Sequence, residues 1–203
     1  MIGAAFFQSL LFDDKNPLVF NSSFFLIFFS IFIFFYALVY QRTTVRLWLV
    51  SAFSLYFFYK ACGHYVVFIL LAATVDFKLS HWINDSSSKS QKKLLLVSSI
   101  MLNLGLLFFF KYTDFFIQTW NDWQNDNVSL FHLILPVGIS FYTFENLSYT
   151  IDVYRGHFKP VTRFVDYLFF LSFFPKLMMG PIVRAADFLP QIRKQVNLSQ
   201  EDI

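Results

Sequence analysis

The chain has 203 residues, of which 57% are apolar and only 14% charged, and 31 are phenylalanine. A soluble domain carries about 25% charged residues, so this composition excludes an ordinary water-soluble fold and points to lipid as the surrounding medium. A net charge of +3 with no basic stripe of interleaved aromatics excludes nucleic-acid binding, and a single cysteine, Cys62, excludes an internal disulfide or a cysteine-built metal centre.

The apolar residues 1–12 lack a preceding basic region and are followed by Asp13 and Asp14. They do not read as a secretory signal, so residues 1–17 are expected to be an N-terminal extension or an interfacial helix. Hydrophobic runs then predict membrane spans over 24–40, 46–60, 64–79 and 94–110. The stretch His81–Lys93 reads as an exposed polar loop, and Asp76 as an interfacial ion pair with Lys78. Asn103 and Gly105 suggest close helix packing with a hydrogen bond across it. Lys111 and Tyr112 read as interface anchors, and Phe115, Phe116 and Trp120 as a short surface helix beyond the span.

A fifth span over 130–154 contains Pro136 and Gly138, which predict a break within the helix. The segment 164–183 contains Pro175, Gly180 and Pro181 and has basic residues on both flanks (Arg163 before it, then Arg184, Arg193 and Lys194), so a re-entrant hairpin is expected there. The expected architecture is therefore all-α, a polytopic transmembrane helical bundle with broken or re-entrant helices occupying residues 18–203. Every second loop is rich in Lys and Arg (Arg42 and Arg46; Lys89, Lys92 and Lys93; Arg155, Lys159 and Arg163). Those loops should be cytoplasmic, giving a multi-pass protein of the cell inner membrane with its N-terminus outside.

Glu145 lies inside a predicted span and so is expected to face the bundle interior with a partner, Asn146, Ser148 and Tyr149 being at hand. It reads as a buried structural or chamber-lining group rather than as an acid or base. Asp152, Tyr154 and Arg155 close the same run. They line a reaction chamber or contact a donor at its cytoplasmic mouth on one reading, and anchor the helix where it leaves the membrane on the other. Pro136, Gly138, Pro175, Gly180 and Pro181 are path-lining candidates or simple kinks. His64, His81, His132 and His157 show no metal-ligand spacing. No catalytic residue, bound cofactor or metal is assigned, and the partner that composition itself demands is membrane lipid.

Four words in the chain carry a resemblance: LVFNSSFFLIFF (18–29), NLGLLFFFKY (103–112), LPVGISFYTFENLSYTIDVYRG (135–156) and FFPKLMMGPIVRAADFLPQI (173–192). With these the chain resembles the membrane-bound O-acyltransferase family in its alginate O-acetyltransferase branch, over residues 18–192. Glu145 stands where many members carry Gln. The resemblance implies a pore-like O-acyltransferase in which an acyl group, acetyl in this branch, passes from a cytoplasmic thioester donor (acetyl-CoA or an acyl-carrier protein). It moves toward an exported polysaccharide with the help of a periplasmic or extracellular acyltransferase relay partner. The family's signature histidine lies beyond the words matched here, and residues 199–202 (SQED) read as a helix-start capping box at the very end. The chain is therefore expected to be an N-terminal portion, truncated before that histidine. The rival reading is a non-enzymatic membrane transporter or polysaccharide-export subunit, for which broken helices and an intramembrane carboxylate would serve equally.

Overall fold

The computed structural model describes residue 12 and residues 22–133, 135–179 and 183–194. Among these residues all regular structure is helical. Helix α1 (Ser23–Val39) starts where the Ser22 hydroxyl accepts the Phe25 N–H at 3.1 Å. Helix α2 (Thr43–Cys62) ends at Gly63, whose φ of 61° lies in the left-handed region. A 3₁₀ turn, Gly63–Tyr65, leads into α3 (Val66–Asp85). Helix α4 (Lys89–Gln124) is terminated by Asn125 at φ 51°. Helix α5 (Ile139–Tyr154) begins after Gly138 at φ 73°. Three short helices follow: α6 (Phe164–Ser172), α7 (Phe174–Met179) and α8 (Ala185–Ile192).

Side-chain pairings show how these helices run. Phe25 meets Phe57 and Phe32 meets Phe53 at centroid distances of 5.6 and 4.2 Å, so α1 and α2 are antiparallel. Leu47 and Ile83 share one core cluster while Phe58, Cys62 and Ile69 share another, so the chain reverses in the 3₁₀ turn. Phe68 against Phe110 and Asp76 against Asn103 make α3 and α4 an antiparallel pair. Asn103 bonded to Asn146, with Phe110 and Ile139 in one cluster, does the same for α4 and α5. Thr44 bonded to Arg163 and Ser54 bonded to the Phe174 N–H set α6 parallel to α2. One end of the bundle therefore collects Arg42, Arg46, Lys89, Lys92, Lys93, Arg155, Lys159 and Arg163, and is here termed the basic end.

The helix lengths and exposures explain why lipid is the medium. Helices α2 and α3 have 20 residues each, about 30 Å at 1.5 Å per residue, which matches a hydrocarbon core. Only 33% of the most apolar window of Thr43–Asp85 is buried, and only 22% of that in α4. A core helix of a soluble protein hides most of such a surface, whereas here Ile27, Phe34, Leu38, Leu94 and Met101 point outward at 62–68% exposure or close to it. This is an all-α membrane protein.

Several sequence expectations are corrected. The polar stretch 81–93 is not a loop: α3 continues to Asp85 and α4 restarts at Lys89, leaving three residues between them. Its polar residues occupy outer faces while Ile83 is fully buried. The surface helix expected at 115–120 is the continuation of α4. Among the described residues no helix runs directly into the Pro136–Gly138 turn. Residues 126–133 and 135–138 are non-helical, and α5 starts at Ile139 instead of near 130, because Pro136 and Gly138 form the turn that launches it (Pro136 C=O accepts the Ile139 N–H at 3.2 Å). A Cβ at Gly105 would meet nothing within 4 Å, so Gly105 takes no part in the helix packing, which Asn103 shares with Ser99, Leu107 and Phe110. Asp76 does not pair with Lys78: residues two apart point to different helix faces, and Asp76 is buried while Lys78 is exposed. The expected extension at 1–17 lies outside the described residues except for Phe12, as does the capping box at 199–202.

Candidate functional site

The site is built on α5. Its residues Glu145, Ser148, Asp152 and Arg155 recur at i, i+3, i+7 and i+10, a single face of a helix. This polar stripe descends from the basic end into the bundle. At its lower end Glu145 Oε2 lies 2.9 Å from Lys176 Nζ, with the two side chains only 1% and 5% exposed. The backbone of Val183 lies against the same carboxylate.

Lys176 is brought there by the break between α6 and α7. Helix α6 stops at Ser172, so its last carbonyls lack helical partners, and Lys176 Nζ donates to one of them, Phe170 C=O. Its ammonium also sits over the Phe170 and Phe188 rings, 3.9 and 4.9 Å from their centroids. One cation thus ties α5, α6, α7 and α8 together. Burying two charges is costly unless they are paired; here the two charges face each other, and the ammonium also donates to Phe170 C=O. Pro175 occupies the first turn of α7, where its missing N–H has no consequence.

Above the pair, at the basic end, Ser148, Asp152 and Arg155 of α5 face Arg184 and Asp187 of α8 across a cleft of about 390 Å³. Asp152 Oδ1 is 3.1 Å from His157 Nδ1 at its rim. The cleft therefore presents two guanidiniums, two carboxylates, an imidazole and a hydroxyl, able to hold a polar ligand that carries anionic and amide groups.

The chain returns to the level at which it entered. Arg193 makes a two-pronged contact with Asp166, at 2.8 and 2.6 Å. Buried Arg46 donates to the carbonyls of Ile192 and Lys194 at 2.8 and 3.3 Å. Residues 163–166 and 192–194 thus lie together at the basic end, while Lys176 reaches the bundle interior.

A second polar cluster crosses the bundle beside the first. Tyr167 Oη donates to Asn146 Oδ1 at 2.6 Å, Asn146 Nδ2 to Asn103 Oδ1 at 3.1 Å, and Asn103 Nδ2 to Asp76 Oδ2 at 2.6 Å. Ser99 Oγ donates to the other Asp76 oxygen. Every donor points toward Asp76, so the bonds polarise one another and lock α3, α4, α5 and α6 together.

Of the residues singled out in the sequence, Glu145, Asp152 and Arg155 share the stripe and Pro175 precedes the lysine. Tyr154 does not join them: it packs against the core cluster of Leu47, Tyr149 and Tyr167, since it stands off the stripe face. Pro136 and Gly138 lie at the opposite end of α5 and do not reach the ion pair. Gly180 and Pro181 lie outside the described residues. The partner of Glu145 is Lys176, not Asn146, Ser148 or Tyr149. The missed signal was a lysine inside an apolar run, itself an intramembrane charge in need of a counter-charge. The four histidines stand apart from both buried clusters; His81, for one, bonds its own helix at Phe77 C=O, 2.8 Å away.

Comparison with known proteins matches the sequence of this chain to named relatives. The chain is 31% identical over 176 residues to a peptidoglycan O-acetyltransferase of Helicobacter pylori, covering 75% of this chain and 33% of that protein. It is 32% identical over 192 residues to the probable alginate O-acetylase AlgI of Pseudomonas aeruginosa, covering 89% and 35%, and 33% identical to that of Pseudomonas putida, covering 89% and 38%. The chain belongs to the membrane-bound O-acyltransferase family. The chain spans about a third of the length of the curated relatives it matches. No family model matches it, and no solved structure does. The stripe, the ion pair and the helix break all fall in the two longest words that carried the resemblance, 135–156 and 173–192.

Proposed function

We propose that the chain forms the basic-end mouth and part of the inner wall of a membrane O-acetyltransferase. It is a multi-pass protein of the cell inner membrane, with the basic end cytoplasmic, the N-terminus outside and 164–183 re-entrant. A thioester donor, acetyl-CoA or an acyl-carrier protein, approaches the cleft between α5 and α8. The acetyl group moves inward toward an exported polysaccharide, with a periplasmic or extracellular acyltransferase partner completing delivery. The observation that carries this reading is the polar stripe of α5, which leads from a cleft able to hold an anionic, amide-bearing donor down to a buried ion pair, in a chain whose relatives are named O-acetyltransferases. Attack of a hydroxyl on a thioester needs a base and donors for the developing oxyanion. Neither role is given to Glu145, whose carboxylate is held by Lys176.

The test uses membranes of cells carrying the protein and of a matched deletion strain, supplied with acetyl-CoA labelled in the acetyl group. Label should enter extracellular polymer in the first and fall at least about a hundred-fold in the second, the lower end of what an oriented acid–base site contributes. Arg155→Ala should weaken the dependence on donor concentration more than the maximal rate. Polymer that is acetylated equally in both strains, but exported only in the first, would establish the transport reading instead.

A further inference from the structure

Helix α4 has 36 residues, about 54 Å along its axis, nearly twice a 30 Å hydrocarbon core. Large apolar side chains share one stripe along its length: Leu94, Met101, Phe108, Tyr112, Phe115 and Trp123 are exposed by 39–74% and fall on a single helical face. From Leu94 to Trp123 the stripe is about 44 Å long, the thickness of a bilayer with its headgroup layers rather than of its hydrocarbon alone.

The opposite face of the outer third is already occupied. Asp114 accepts the backbone N–H groups of Phe131 and Leu133 at 2.8 and 3.2 Å. The Asn121 side chain bonds the N–H and C=O of Val128 at 2.9 and 2.8 Å. The aromatic face is left open, flanked by the exposed polar residues Lys111, Gln118 and Asp122. An independent observation comes from the other end of the molecule. The four tryptophans of the chain are all exposed. Trp48 and Trp82 lie close to the basic end, and Trp120 and Trp123 at the far end of α4, edge-to-face at 5.8 Å. Tryptophan concentrates at both membrane–water interfaces, where its apolar ring and polar N–H are satisfied together.

We infer that residues 111–124 are a membrane-surface element, with the aromatic face of α4 lying in the lipid headgroup layer of the leaflet remote from the basic end. Its apolar stripe is continuous with the lipid-facing stripe of the same helix, which favours lipid over a protein partner as the occupant. The two tryptophan pairs then mark the two faces of the bilayer and fix its position on the molecule.

The experiment places the Trp48→Phe/Trp82→Phe variant, which keeps Trp120 and Trp123, in phosphatidylcholine–phosphatidylglycerol vesicles. Lipid brominated close to the headgroup should quench its fluorescence about two-fold more than lipid brominated near the bilayer centre, with aqueous acrylamide a weak quencher, as the belt position requires. Acrylamide quenching equal to that of free tryptophan, with neither bromolipid acting, would overturn the inference and mark the face as solvated or reserved for a protein. Should that variant fold poorly, Phe116→Cys in the Cys62→Ser background, carrying a polarity-sensitive dye, supplies the same readout. Blue-shifted emission in vesicles upholds the inference, and emission as in water defeats it.

Discussion

At the scale of single residues, the decisive pair is Glu145 and Lys176, 2.9 Å apart in the bundle interior. Removing one member leaves the other as an unpaired buried charge, which costs about 3–5 kcal/mol, whereas neutralising both removes the penalty along with the attraction. Lys176→Met alone should therefore unfold at markedly lower temperature in detergent, and Glu145→Gln/Lys176→Met should recover more than half of the loss. Equal losses in the single and double variants would show that the pair is not coupled. Half of this pair was legible in advance: an acidic residue in an apolar run has to face inward. The other half was not legible, because pairing across 31 positions depends on where a helix breaks and the prolines and glycines around Lys176 show a break without showing which way the lysine then turns. Asp76 was misread for a related reason. Sequence proximity offered Lys78 as its partner, while helical geometry turned it toward Ser99 and Asn103 on the neighbouring helix.

Among the elements, two glycines of similar appearance in the sequence behave oppositely. Gly63 has a φ of 61°, and a Cβ there would come within 2.9 Å of the Phe12 ring, so Gly63→Ala strains the reversal between α2 and α3 by about 1–3 kcal/mol. Gly105 lies within α4 with nothing near its missing Cβ, so Gly105→Ala should stabilise by about 0.5–1 kcal/mol through helix propensity. Thermal unfolding of both variants checks the pair of signs. Helix existence was readable from apolar runs, as α1 shows: 24–40 expected, Ser23–Val39 observed. Helix ends were not readable where polar residues continue a helix on its outer face, as at 81–85 and 111–124. Hydropathy reports the surrounding medium, and a helix does not stop where the medium changes.

For the whole molecule, the gathering of basic residues at one end and the return of the chain to that end make a topological prediction. Lys159→Cys and Lys194→Cys, each placed in the variant Cys62→Ser, should react with a membrane-impermeant maleimide from the same side of sealed vesicles. Labelling from opposite sides would mean that 164–183 crosses the membrane completely. The contact between Arg193 and Asp166, with Arg46 holding Ile192 and Lys194, is the physical basis for expecting one side. The charge flanks alone suggest a hairpin; the structure adds the contacts that bring its two ends together, one of them from α2, far away in sequence.

Composition alone decided that lipid surrounds this chain, and the order of apolar runs and basic loops decided the helical class and the alternation of its ends. These properties are sums over local residues, so they need no knowledge of contacts. Four long words also carried the family. Only the tertiary structure decided that Lys176 is the counter-charge of Glu145, that Asp76 belongs to a chain of hydrogen bonds through Asn103, Asn146 and Tyr167, and that a cleft opens between α5 and α8. Each of these depends on bringing together side chains from different helices, whose relative rotation and depth are settled by packing and not by any stretch of sequence read on its own.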